Sequence, residues 1–172
     1  SLSKGKKFLV GLSHGQSPAG AYQLIVQFFS KIKNKQNIYF TFVNSPLKSQ
    51  ENLEDVFTAS AFLKKLIRKG LITKEQVLGR NVKPDIDDED AVVFNNEIAL
   101  FLQQNNKTGF DYVFLATNSK GRIAGIERNS KTFESKEIAA VVTINKEKEL
   151  TITPGFLMQT KRIACLATKS EK

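Results

Sequence analysis

The sequence predicts an α/β fold: three α/β/α layers around a mostly parallel, doubly wound (Rossmann-like) sheet, in a single domain over 1–172. Three observations carry this. Short apolar runs alternate with longer segments of helical periodicity, the pattern of a parallel sheet covered by helices. The length of 172 residues suits one domain with a sizeable core. The composition, 41% hydrophobic and 25% charged, is that of an ordinary globular protein.

The elements follow in order. "KFLVGL" (7–12) reads as the first strand. Ser17 reads as an N-cap and Pro18 as the first residue of a helix. Tyr22, Ile25, Phe29 and Ile32 then recur at helical spacing, with Leu24 and Phe28 beside them. "IYFTFV" (38–43), β-branched and aromatic, is the second strand, and the polar loop "NSPLKSQ" follows it. A helix is predicted over 51–69, with Phe62, Leu63, Leu66 and Ile67 as its buried stripe. Its acids lie early, its lysines late, and Gly70 stops it. "TKEQVL" (73–78) reads as a short helix.

"NVKPDIDDED" (81–90) has two readings: a cation site, or acids gathered before a helix N-terminus, where they are favourable. The helix after it presents Phe94, Ile98, Phe101 and Leu102 on one face. "DYVFLAT" (111–117), apolar almost throughout, reads as a central strand. The polar segment 118–130 hangs from its end. "EIAAVVTI" (137–144), "ELTIT" (149–153) and "RIACLAT" (162–168) read as further strands, with "PGFLMQT" as a short helix between the last two.

Several function classes are disfavoured. No apolar run is long enough to cross a bilayer, so no membrane partner is expected. One Cys and one His exclude zinc clusters, and neither a metal nor a cofactor is expected. Cys165, inside "RIACLAT", reads as a buried hydrophobe of a reducing compartment, a cytoplasm. The net charge of +9 favours an anionic partner. The lysines are scattered, not interleaved with aromatics, which argues against nucleic acid.

In open α/β sheets ligands bind beyond the C-terminal ends of the strands. Three polar loops lie at such ends: 13–17, 44–50 and 118–130. They form one cleft if strands 7–12, 38–43 and 111–117 are neighbours. In "SHGQSP" (13–18) the backbone at Gly15 can approach a ligand closely, and Ser13 and Ser17 supply hydroxyls. The helix start adds unpaired N–H groups, making an anion cradle. His14 lies inside this turn and reads either as a phosphate ligand or displaced base, or as a turn residue with no task. Glu127 reads either as an acid–base group or as a surface acid paired with Arg122 or Arg128.

In order and spacing the chain resembles the glucosamine-6-phosphate deaminase and 6-phosphogluconolactonase superfamily. "GLSHGQSPAGAY" is similar to its strand, phosphate turn and helix. "IYFTFVNSP" stands at its second motif strand, and "FDYVFLATNSKGRIAG" at its strand and Gly-rich loop. "ELTITPGFLMQTKRIACLAT" is similar to its closing strand, helix and last strand. The resemblance implies an α/β fold and a phosphorylated sugar or other small anion as partner. It also implies a domain without the family's first strand–helix and last helix, either excised from a longer protein or a trimmed relative, with further domains of a longer chain or a homo-oligomer as the expected protein partners.

Carried over, the phosphate cradle is Gly15, Gln16 and Ser17, with Arg122 or Lys148 adding charge. The family's acid after the second strand falls on Ser45, or on Asn44 with a one-residue slip. Its Asp and His in the third loop fall on Lys120 and Arg122, with Asn118 beside them. Its basic residue before the closing strand falls on Glu147 or Glu149. Only Glu127 matches a family acid. The expectation is a sugar-phosphate-binding domain with most catalytic acids replaced. The alternative is an active phosphosugar isomerase, deaminase or lactonase using Glu127 and His14.

Overall fold

A computed structural model describes residues 5–15, 17–45, 58–79, 86–117, 121–127, 129–144 and 146–167. Its centre is a four-stranded parallel sheet of order β2-β1-β3-β6: β1 (Phe8–Leu12), β2 (Ile38–Phe42), β3 (Tyr112–Thr117) and β6 (Ile163–Ala167). Alternation along each strand sends side chains to two cores. Val10, Leu12, Phe40 and Phe42 meet helices α1 (Ala19–Phe28) and α2 (Ala59–Arg68). Leu9, Val43, Val113 and Leu115 meet α3 (Asp88–Gln104) and α4 (Pro154–Leu157) on the other side. The three layers and the parallel sheet are as the sequence predicts.

The predicted strands at 137–144 and 149–153 lie outside this sheet. They are β4 (Ala139–Ile144) and β5 (Glu147–Ile152), an antiparallel hairpin on the α3 side. The link between them is two residues long, and a parallel pair needs a crossover of a dozen or more. β5 also bonds to the end of β2: Ser45 N–H donates to Leu150 O (2.8 Å) and Ile152 N–H to Val43 O (2.8 Å). The hairpin thereby roofs the C-terminal end of β2.

Local details differ from the sequence reading in four places. The first helix starts at Ala19, with Pro18 rather than Ser17 at the N-cap and no side-chain cap bond. Its predicted row of Tyr22, Ile25, Phe29 and Ile32 packs on the core, but Val26 joins it, and Leu24 and Phe28 are exposed. "TKEQVL" is one 3₁₀ turn, Lys74–Gln76. Cys165 is exposed, because β6 is an edge strand whose side chains no described helix buries.

The helix predicted over 51–69 covers Ala59–Arg68 of the described residues, since 51–57 lie outside them. Of the acidic stretch 81–90, residues 81–85 lie outside them too. The remainder opens α3: Asp87 caps it, accepting from Asp90 N–H (2.9 Å), and Asp88, Glu89 and Asp90 fill the first turn. No group of acids, His and Cys that would hold a metal occurs among the described residues.

Candidate functional site

The strand order puts a topological switch at β1. The chain leaves β1 toward β2 on one side and returns to β3 on the other, so the crevice beyond the β1 C-terminus is where such sheets bind ligands. The segments after β1 and β2 converge there, with the hairpin above them.

Ser13 fixes the end of β1. Its N–H donates to Phe114 O (3.1 Å), its Oγ accepts from Ala116 N–H (3.1 Å), and its carbonyl accepts from the Tyr22 hydroxyl (2.9 Å). It is fully buried. The predicted phosphate-binding hydroxyl is therefore a tie between β1 and β3. Burial pushes the Tyr22 phenol up, so it stays a donor. Tyr22→Phe is expected to leave the Ser13 carbonyl unsatisfied and to lower stability by about 1–3 kcal/mol, read by thermal unfolding.

His14 follows, buried, with its ring 4.8 Å from that of Phe42. Burial lowers its pKa to about 4, so it is neutral at pH 7 and carries no charge to a phosphate. Its N–H donates to Asn44 Oδ1 (3.1 Å), while its Nε2 has no partner. Asn44 in turn donates from Nδ2 to Glu149 Oε1 (2.6 Å). One amide thus joins the first turn, the end of β2 and the hairpin.

Ser45 is buried and engaged, its Oγ accepting from Leu150 N–H (2.9 Å). Asn44 and Ser45 therefore brace the hairpin on β2; neither side chain is free to act as the acid expected there.

The sequence reading named Glu149 only as a position where the family's basic residue falls, and the structure puts its carboxylate on Asn44. Glu149 is 1% exposed, and its Oε2 has no hydrogen-bond partner. Burial raises its pKa, partly offset by the Asn44 bond and the charge of Arg122. Gly125 lies against it: at φ +76°, a Cβ there would stand 3.0 Å from the carboxylate. Strand alternation was the available signal. Glu149, Thr151 and Thr153 share one face of the closing strand, and all three are buried. Thr151 donates to Ala124 O and Thr153 to Glu137 O (2.6 Å), so the loop before the hairpin covers this polar row. Lys148, one residue from Glu149, is exposed on the opposite face; the strand points the acid inward and the lysine away.

Gly15 has φ +112° with open space around it, and Ser17 is half-buried beside it. Arg122 is half-buried, and its charge reaches Glu149. Glu127 is exposed on a cleft of about 460 Å³ that Gly125 also lines. Gln16, Asn118 and Lys120 lie outside the described residues.

No family model and no curated protein matches the sequence. Solved structures do. The chain superposes on 6-phosphogluconolactonase from Trypanosoma cruzi with a TM-score of 0.74, over 98% of this chain and 71% of that one, at 21% identity. The fold is that of the 6-phosphogluconolactonases. The devB protein aligns with a TM-score of 0.74 over 96% of this chain and 70% of that one, at 16% identity. A monomeric glucosamine-6-phosphate deaminase of the NagB superfamily aligns at 0.66, over 95% and 71%, at 17% identity. The lactonase-like fold extends over nearly the whole of this chain and about 70% of the lengths of these neighbours. Among the described residues no helix is long and apolar enough to cross a membrane.

Proposed function

We propose that the chain is a sugar-phosphate-binding domain on a lactonase- and deaminase-like scaffold, without the turnover of those enzymes. The observation that carries this reading is the make-up of the crevice at the β1 switch point. The turn at Gly15 and the start of α1 leave backbone N–H groups for an anion. Arg122 adds positive charge nearby. The positions around them hold an amide at Asn44, a neutral imidazole at His14 and a buried acid at Glu149. An imidazole with a pKa of about 4 is a poor base near neutral pH. Glu127 stands apart, exposed on the cleft beside Gly125. This set supports binding, and its imidazole does not support proton transfer at neutral pH.

The test is thermal unfolding with glucosamine 6-phosphate, 6-phosphogluconate and inorganic phosphate, with Ser17→Asp as the control. A ligand at about 100 times its dissociation constant stabilises by about 2.7 kcal/mol, a shift of about 5–10 °C for a chain of this size. The expected result is a shift with a sugar phosphate that Ser17→Asp removes, with no ammonia release and no lactone hydrolysis. No shift with any compound, or sustained turnover of one, would end this reading.

A further inference from the structure

Among the described residues no strand pairs with the outer edge of β4. On β5, Leu150 and Ile152 turn their backbone groups away from β4, to Ser45 and Val43. Their partners across the hairpin are Val141 and Ala139. Opposed residues in an antiparallel ladder exchange both hydrogen bonds or neither. Ala139 and Val141, and Thr143 two residues on, therefore direct their N–H and C=O groups to the outer edge of β4.

At Ala139 the side chain of Asn95, on α3, takes both. Ala139 N–H donates to Asn95 Oδ1 (2.8 Å), and Asn95 Nδ2 donates to Ala139 O (3.0 Å). A single amide group thus does what a neighbouring strand would do. At Val141 and Thr143 no such partner occurs among the described residues.

This stretch borders the cleft of about 460 Å³, which Val141–Ile144 line together with Gly125, Glu127 and residues 129–132. The strand reads Ala-Ala-Val-Val-Thr-Ile, with no charge and no proline. Natural edges are usually blunted by such residues, and this one is not. A cleft beside unpaired strand groups has the geometry for addition of one more strand.

We infer that the β4 edge is a strand-addition site for an extended, proline-free peptide. Its backbone pairs with Val141 and Thr143, and its uncharged β-branched side chains pack against Val141, Val142 and Thr143. The occupant is a lone peptide rather than a second copy of this chain. Each copy carries Gly125, Glu127 and residues 129–132 along the cleft beside its own β4, so pairing two edges would bring both sets of these residues into the joint. The net charge of +9 favours acidic residues flanking the paired stretch.

The experiment selects peptides from a displayed random library against the intact chain. The strongest one is then synthesised and titrated while amide hydrogen exchange is read residue by residue. Exchange at Val141 and Thr143 is expected to slow by about tenfold or more. Methylating the peptide nitrogens that face β4 is expected to weaken binding by about tenfold or more, and methylating the alternate ones to leave it unchanged. Thr143→Pro removes an N–H that the hairpin ladder does not use, and is expected to abolish binding without lowering the thermal midpoint. No enriched peptide would overturn the inference. So would a peptide that leaves exchange at Val141 and Thr143 unaltered, or one that tolerates methylation in both registers.

Discussion

Replacing Asp111 by Ala is expected to destabilise the fold by about 3–5 kcal/mol, lowering the thermal midpoint by about 10 °C. Asp111, 4% exposed, stands where β3 begins. Its carboxylate accepts from Lys107 Nζ (2.6 Å), Lys161 Nζ (2.7 Å) and the Leu9 N–H of β1 (2.9 Å). The Lys107 side chain is equally buried, so the substitution strands an ammonium and a backbone donor without an acceptor. Lys161 is 58% exposed, and Lys161→Ala is expected to cost under about 1 kcal/mol. An Asp111→Ala chain melting within about 2 °C of the parent would refute this account.

The same carboxylate sets an acid limit. Burial pushes its pKa up, but the bonds from Lys107, Lys161 and Leu9 outweigh that and hold it below the usual range. The unfolded chain titrates Asp at about 3.9. Between that value and the lower folded one, the unfolded state binds the extra proton. The stabilisation is therefore complete above about pH 4 and lost as the pH falls through the folded pKa.

Glu149→Gln is expected to act in the opposite sense. The folded pKa of Glu149 is raised, chiefly by burial, so between the unfolded value of about 4.3 and the folded one the native state binds more protons. Wild-type stability then falls as the pH rises across that window. Gln keeps an oxygen for the Asn44 amide and carries no charge to bury. The variant is expected to match the parent below about pH 4 and to exceed it by about 1–3 kcal/mol above the window. Denaturant unfolding from pH 4 to 8 measures this, and parallel curves for the two chains would contradict it. His14, lowered to about 4, works on the other flank: the unfolded chain binds its proton first, and stability is lost as the pH falls from about 6.5 to 4.

What could be read ahead of the structure was local. The alternation of apolar strands and helical stripes gave the layers, and "IYFTFV" and "DYVFLAT" could be read as strands, with their adjacency to "KFLVGL" left as a condition. Their apolar residues point to both faces, as buried parallel strands require. The hairpin was misplaced although its signal was present, since four residues of "NKEK" between two strands leave no room for a crossover. The phase of the first helix was legible, since Tyr22 and Phe29 are buried and Ile25 and Ile32 pack against the same core. Leu24 and Phe28 have the right character but are exposed, and Val26 joins the row instead.

The candidate site was legible as a place but not as a chemistry. Ser13 and Ser45 look like free hydroxyls in the sequence and are consumed by strand ties 103 and 105 residues away. His14 looks like a turn residue, and Phe42 and Asn44 bury it. Glu149 was marked only by the alternation of its strand, which puts it on one face with Thr151 and Thr153. The sequence by itself determined the order of elements and the loops that could form a crevice, because hydrophobic periodicity follows from near neighbours along the chain, whereas the pairing of β1 with β3 joins residues about 100 positions apart. Only the tertiary structure decided that burial lowers the pKa of His14 and raises that of Glu149 around one amide, because desolvation depends on groups that the chain brings together from more than 100 residues apart.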